Sequence, residues 1–287
     1  MRDVRDLPIG VFDSGIGGLT VLRALRRALP GEAFLYLGDT ARVPYGTKSP
    51  ATVRRYALEA ADELSSRGIK ALVVACNTAS SLAQADLVAL DRFPVFGVVE
   101  AGARAAIAVT QAHRVGVIGT RSTIESGAYA RTLEALDPGV EVHARACPLL
   151  VPLAEEGWEE TDVARSVCEQ YLADLRVAHV DTLILGCTHY PLLKAAIAAT
   201  MGPEVRLVDS AAETAAEVAR SVRALRLARR LPPDRPCKFL VTDDRLTFIR
   251  VGTRLLGEAI QDVESIELEH RLELAEPADG ARHARVS

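Results

Sequence analysis

The chain has 287 residues, 49% of them hydrophobic and 25% charged, with a net charge of −4 and 5 cysteines. That balance argues against a nucleic-acid binder held by bulk phosphate neutralisation. No run of about twenty apolar residues is free of charge, so no membrane span is expected, and the start "MRDVRDLPIGVFDSG" lacks the apolar core of a signal peptide.

Short apolar runs alternate with amphipathic segments along the chain. "PIGVF" (8–12), "AFLYLG" (33–38), "ALVVA" (71–75) and "VFGVV" (95–99) read as strands. Between them, 18–29, 51–68 and 77–90 carry apolar residues at three- and four-residue steps and read as helices. The alternation then restarts. "RVGVIG" (114–119), "VEVHA" (140–144), "TLILG" (182–186) and "VRLVD" (205–209) are strand-like, with helices expected notably at 122–136 and 158–176. The proline-bearing "RLARRLPPDRPC" (226–237) reads as a surface loop before a last strand, "KFLVT" (238–242), and the tail from about 271 is expected to be disordered. Strand–helix alternation of this kind predicts parallel sheets with crossover helices. Two rounds of it predict an α/β protein of two similar Rossmann-like parallel-sheet domains facing one another.

In open parallel sheets, ligands bind beyond the carboxyl ends of the strands. After the first strand stands "FDSGIGGLT", where Asp13 and Ser14 precede Gly15, Gly17 and Gly18. The glycines allow close backbone approach, and the following helix offers free N–H groups to an anion. The spacing is neither a dinucleotide fingerprint nor a P-loop. After the second strand, "GDTARVPYGTKSP" places Asp39, Pro44, Tyr45 and Gly46 in a stiff loop, which a plain turn would also explain. After the third come Cys76, Asn77 and Thr78, and after "TLILG" come Cys187, Thr188 and His189. One such thiol alone reads better as a buried apolar residue than as a catalytic one. Two, at matching positions of two similar halves and each followed by a small polar residue, suggest more. If the carboxyl edges face each other, the thiols flank a cleft, an arrangement suited to removing a proton from one face of a carbon and delivering one to the other. Cys147, Cys168 and Cys237 fit less well, and Cys168 falls inside a helical pattern as a core thiol. With no paired spacing, the cysteines suggest free thiols in a cytosolic protein, not a disulfide framework or a zinc site.

Five segments, "GVFDSGIGGLTV", "DTARVPYG", "VACNTAS", "PLAEEG" and "LGCTHYPLL", together resemble glutamate racemase, of the cofactor-independent aspartate/glutamate racemase superfamily, from about residue 8 to residue 257. The resemblance implies interconversion of L- and D-glutamate, supplying D-glutamate for peptidoglycan, without pyridoxal phosphate or a metal. It implies that Cys76 takes the α-proton from D-glutamate and Cys187 from L-glutamate, assisted by Asp13 and His189 respectively. The family's further acidic residue falls in "AEEG", at Glu155, with Glu156 adjacent. Asp13, Ser14, Pro44, Tyr45, Gly46, Asn77, Thr78, Thr188 and His189 are then the substrate-binding set. The resemblance also implies a first lobe of 1–98 plus 209–287, a second of 99–208, the active site between them, and a homodimer, while the weak acidity of an α-proton beside a carboxylate predicts closure of the lobes over the substrate. A relative acting on aspartate, hydantoin or malonate derivatives, and a binding or regulatory protein, are the alternatives. The presence of both thiols favours racemisation.

Overall fold

The computed structural model describes residues 3–268. The chain begins with β1 (Ile9–Asp13), α1 (Leu19–Ala28), β2 (Phe34–Gly38), α2 (Pro50–Ser66), β3 (Ala71–Val74), α3 (Asn77–Ala89), β4 (Val95–Gly97) and α4 (Val98–Val109). Then come β5 (Arg114–Gly119), α5 (Arg121–Glu125), α6 (Ala128–Leu136), β6 (Glu141–Ala146), α7 (Leu150–Glu156), α8 (Asp162–Val177), β7 (Thr182–Gly186), α9 (Lys194–Met201) and β8 (Arg206–Val208). The described part closes with α10 (Ser210–Ala224), β9 (Cys237–Val241), α11 (Arg245–Leu256) and β10 (Val263–Ser265).

All strand pairs are parallel, in a six-stranded sheet of order β10-β9-β2-β1-β3-β4 and a four-stranded sheet of order β6-β5-β7-β8. Helices cover both faces of each sheet, which is why the central strands are apolar throughout instead of alternating. Along β1, Ile9 and Val11 enter one core with α1, α10 and α11, while Phe12 enters the opposite core with α2 and α3. The four-stranded sheet is sandwiched likewise, with α7, α8 and α9 on one face and α4 and α6 on the other. Each enclosed Leu, Ile, Val or Phe contributes about 1.5–3 kcal/mol.

The register sets out the two carboxyl edges. Phe12 pairs with Val74, so Asp13 and Cys76 emerge at one edge. Gly119 pairs with both Gly186 and Ala146, so Thr120, Cys187 and Cys147 emerge together at the other.

Some boundaries differ from the sequence expectation. "VFGVV" is strand only to Gly97, and α4 begins at Val98, its two valines buried in a helix that packs between the sheets. The segment 122–136 breaks at Gly127, whose φ of 65° separates α5 from α6. The helix expected from 158 starts at Asp162, where the Thr161 hydroxyl caps the Ala164 N–H. β9 is not the last strand, because β10 pairs beside it at the sheet edge. The tail expected to be disordered, about 271–287, lies outside the described residues.

Candidate active site

A cavity of about 320 Å³ lies between the two carboxyl edges, and both Cys76 and Cys187 line it. Ser14, Pro44, Tyr45, Gly46, Asn77, Thr78, Glu155, Thr188 and His189 line it as well. Asp13 does not. It sits behind the Gly-rich turn, 1% exposed, with Oδ2 accepting from the Gly15 N–H at 2.9 Å.

Cys76 occupies the N-cap of α3. Its Sγ accepts from the Ala79 N–H at 3.5 Å and lies 3.4 Å from the Ser14 hydroxyl. Those contacts favour a thiolate, but burial and the nearby Asp13 carboxyl outweigh them and push the thiol up to about 12. Burial raises Asp13 too, against the pull of His189 and the Gly18 and Gly15 amides. The thiol on this side of the cavity therefore keeps its proton at neutral pH.

The opposite side is charged differently. The Nδ1 of His189 lies 3.8 Å from Cys187 Sγ, and its Nε2 pairs with Glu155 Oε1 at 3.0 Å, as an ion pair without an aligned hydrogen bond. Burial alone would lower the His189 pKa. Its contacts with Cys187 and Glu155 prevail and raise it to about 10. An imidazolium thus stands where it can balance negative charge on the sulfur. Glu155 reaches it from α7, a seven-residue helix absent from the sequence expectation because its run is short and broken by Pro152. Glu156 points away, into a separate apolar groove with Leu149 and Trp158.

The 43–47 loop is held from behind. The Tyr45 hydroxyl donates to Asp39 Oδ2 at 2.5 Å, and that carboxylate also receives Arg42 Nε at 2.7 Å and, on Oδ1, Thr242 at 2.9 Å. With its hydroxyl so engaged, Tyr45 offers the cavity its ring and backbone, not a free donor. Asn77 and Thr78 are likewise engaged, with residues of the facing half. Asn77 Oδ1 accepts from the Tyr129 hydroxyl at 2.7 Å. Thr78 Oγ1 lies 2.9 Å from that of Thr120 and 3.1 Å from that of Thr123, closing a triangle of hydroxyls. The halves also meet at Gly17, where a Cβ would lie 2.7 Å from His189 Nδ1, and through the Thr20 hydroxyl, which donates to the Thr188 carbonyl at 3.3 Å.

Thr120, Val43, Thr47, Pro148, Val151 and Pro152 also line the cavity and were missed in the sequence. Thr120 was findable, because it directly follows the strand-like run 114–119 and the strand-end rule applies to it as to Cys76. The apolar wall of Val43, Val151 and the prolines carries no sequence signal of its own.

A model of the Asp/Glu/hydantoin racemase family matches residues 9–218. A glutamate racemase of Geobacter metallireducens is 56% identical over 261 residues, 91% of this chain and 97% of that protein. The crystal structure of glutamate racemase from Thermus thermophilus in complex with β-chloro-D-alanine superposes with a TM-score of 0.84 at 50% identity, over 93% of this chain and 99% of that one. That of Francisella tularensis glutamate racemase in complex with D-glutamate gives 0.87 at 36% identity, over 92% and 99%. With the family model covering most of its length and such identity across nearly all of it, the chain belongs to the Asp/Glu/hydantoin racemase family, as an amino-acid racemase of the glutamate racemase kind.

Proposed function

We propose that this glutamate racemase works through two thiols, Cys187 taking the α-proton of L-glutamate while Cys76 gives its proton to the opposite face of the same carbon. The product is D-glutamate, with Cys187 now a thiol and Cys76 a thiolate, the state that serves the reverse reaction. The observation that carries this reading is that two strand-end thiols in unlike surroundings line one cavity. Cys76, pushed up to about 12, suits the acid. Cys187, beside the His189 imidazolium, suits the base. Asp13 is placed to take the proton from Cys76 when D-glutamate is the substrate, and Glu155 keeps His189 charged.

The α-proton beside a carboxylate is far less acidic than a thiol, and a positioned base supplies about 10²–10⁴-fold. The remainder has to come from fixed donors in a water-poor site. Among the described residues, no Lys or Arg lines the cavity. The substrate carboxylates are therefore held by neutral donors, the backbone N–H groups at Ser14, Gly46 and the start of α3 and the hydroxyls of Ser14, Thr78 and Thr188. No pyridoxal phosphate and no metal takes part. The cleft opens to admit substrate and closes over it, between a lobe of 1–98 plus 209–287 and a lobe of 99–208. D-glutamate made in this way would feed peptidoglycan in the cytosol, where the cysteines stay reduced. We also propose a homodimer, supported by exposed Leu149 and Trp158, with no nucleic-acid or membrane partner. No helix among the described residues is long and apolar enough to cross a membrane.

The test is α-proton exchange. The purified protein is incubated in D₂O with L-glutamate, and separately with L-aspartate, without cofactor, and deuterium at Cα is followed by NMR together with optical rotation. Deuterium entry with loss of rotation for glutamate is expected, abolished by Cys76→Ser or Cys187→Ser in folded protein. Either variant racemising at a near-normal rate overturns the two-thiol scheme, and exchange with aspartate instead overturns the substrate.

A further inference from the structure

Glu155 stands on a weak platform. α7 has only seven residues, Leu150–Glu156, too few to hold itself together without tertiary support. Its Leu150 and Ala154 pack into the core of the four-stranded sheet. A second support comes from the other half of the molecule. Arg254 projects from α11, whose Phe248, Val251 and Leu255 belong to the core of the six-stranded sheet. Its Nη2 donates to the Ala154 carbonyl at 2.5 Å and reaches the Glu155 carbonyl at 3.4 Å. These are the carbonyls that the end of a helix leaves without intrahelical partners, and a cation is favoured there. Among the described residues, all hydrogen bonds of this guanidinium go to those two carbonyls. The space it occupies is kept open by Gly157, the left-handed residue that ends α7 (φ 77°), where a Cβ would lie 2.5 Å from Arg254 Nη1.

We infer that Arg254 is a positioning residue, clamping the last turn of α7 from the opposite lobe so that the Glu155 carboxylate meets His189. The inference rests on the proposed role of the Cys187–His189–Glu155 group. It adds that α11, which contributes nothing to the cavity lining, sets the alignment of that group. The clamp also ties closure of the cleft to readiness of one proton-transfer group: the lobes must be together for Arg254 to reach α7.

A double-mutant cycle separates this role from plain stabilisation. Glutamate racemisation is measured for the wild type, Arg254→Ala, Arg254→Lys, Glu155→Gln and the Arg254→Ala/Glu155→Gln pair. If Arg254 acts through Glu155, Arg254→Ala lowers kcat/KM about tenfold, the pair is no worse than Glu155→Gln alone, and Arg254→Lys recovers part of the loss. Losses that multiply in the pair, or an Arg254→Ala enzyme of wild-type rate, overturn the inference.

A second readout does not depend on turnover. His189 is faced by Cys187 on its own segment, by Glu155 from α7 and by Asp13 from β1. Loosening Glu155 removes one of its negative neighbours, so the NMR titration of the His189 ring moves to lower pH in Arg254→Ala and returns toward wild type in Arg254→Lys. An unmoved titration refutes the clamp even if the protein were to act on another substrate. A wild type inactive on glutamate with the titration shift present would leave the clamp standing and refute the proposed substrate.

Discussion

The buried thiols make the fold sensitive to alkali, and the size of the effect follows from their surroundings. Cys76 and Cys147 are pushed up to about 12 and Cys168 to about 11, in each case chiefly by burial. The three are 5%, 0% and 0% exposed. In the unfolded chain such thiols titrate near 9.0, the ordinary value from which these shifts start. A group whose pKa is raised by folding stabilises the fold fully below its unfolded pKa and loses that contribution as pH rises toward its folded one. The window therefore opens at pH 9 and closes at 11–12. At pH 10 each thiol has given up about 1.4 kcal/mol, the three together about 4 kcal/mol, and about 5.5 kcal/mol with the partly buried Cys237, which burial also pushes up to about 12. That is a large part of the 5–15 kcal/mol that holds a typical domain folded. Above pH 10, Tyr36, Tyr45 and Tyr190, raised by burial well beyond the ordinary tyrosine value, add to the loss. Urea unfolding followed by circular dichroism at pH 7, 8, 9 and 10 measures this directly. Stability should fall by about 1.5 kcal/mol from 8 to 9 and by about 4 kcal/mol from 9 to 10. Cys168→Ala removes one of four titrating thiols and should reduce that fall by about a quarter, whatever constant offset its cavity adds, while leaving turnover at pH 8 unchanged. Stability at pH 10 within about 1 kcal/mol of that at pH 8 would refute the reasoning.

Three further perturbations probe the cleft. Thr78→Val removes one hydroxyl from the triangle with Thr120 and Thr123 and should cost about 1–2 kcal/mol in urea unfolding; a loss below about 0.5 kcal/mol would show that the triangle does not help hold the halves together. Glu155→Gln removes a charge 3.0 Å from His189 Nε2. At an effective dielectric of about 20 the gross attraction is about 5 kcal/mol, but the carboxylate is 41% exposed, and screening leaves about 2 kcal/mol, a fall of about 1.5 units in the His189 titration; a titration unmoved by NMR contradicts the pairing. Gly17→Ala drives a methyl into the Thr188 hydroxyl and the His189 ring and should lower kcat/KM by tenfold or more with little loss of thermal stability; full activity would mean that the halves need not approach so closely.

How much of this could be read in the sequence depended on whether a residue's neighbours were local. β1, β3 and β7 are apolar runs ending in Asp13, Val74 and Gly186, and the rule that ligands gather beyond such ends was enough to single out Cys76 and Cys187. Thr188, His189 and the Gly-rich turn follow within two or three residues of a strand end and were legible for the same reason. Glu155 was reached only through the family resemblance, because α7 owes its conformation to packing on Cys168 and Leu172 and to Arg254, a hundred residues away. Val98 and Val99 were misread as strand, since β-branched residues fit a pleated surface well. They are helical because α4 needs two apolar faces, one toward α10 and one toward α6 and the four-stranded sheet. The engagement of Tyr45 with Asp39 and of Thr78 with Thr120 was invisible too, since each depends on a turn or a second sheet bringing distant residues together.

The two thiols are placed alike by the fold, and their unlike surroundings give the proposed mechanism a direction in its first turnover. L- and D-glutamate are mirror images, so at equilibrium neither is favoured and kcat/KM is equal in both directions. The resting enzyme is not so constrained. Burial and Asp13 keep the proton on Cys76, the state that serves L-glutamate by donation. D-glutamate needs that proton removed first, and Asp13, itself raised by burial, is the group placed to take it. Mixing excess enzyme with each enantiomer in D₂O and quenching within one turnover should show α-deuterium entering from L-glutamate without delay and from D-glutamate after a lag. Asp13→Asn, which cannot take the proton, should lengthen the lag for D-glutamate and leave the first turnover of L-glutamate nearly untouched. Identical first turnovers for the two enantiomers in the wild type would mean that the proton on Cys76 is lost as easily as it is held, and that the contrast between the two sides of the cavity does not set the order of events.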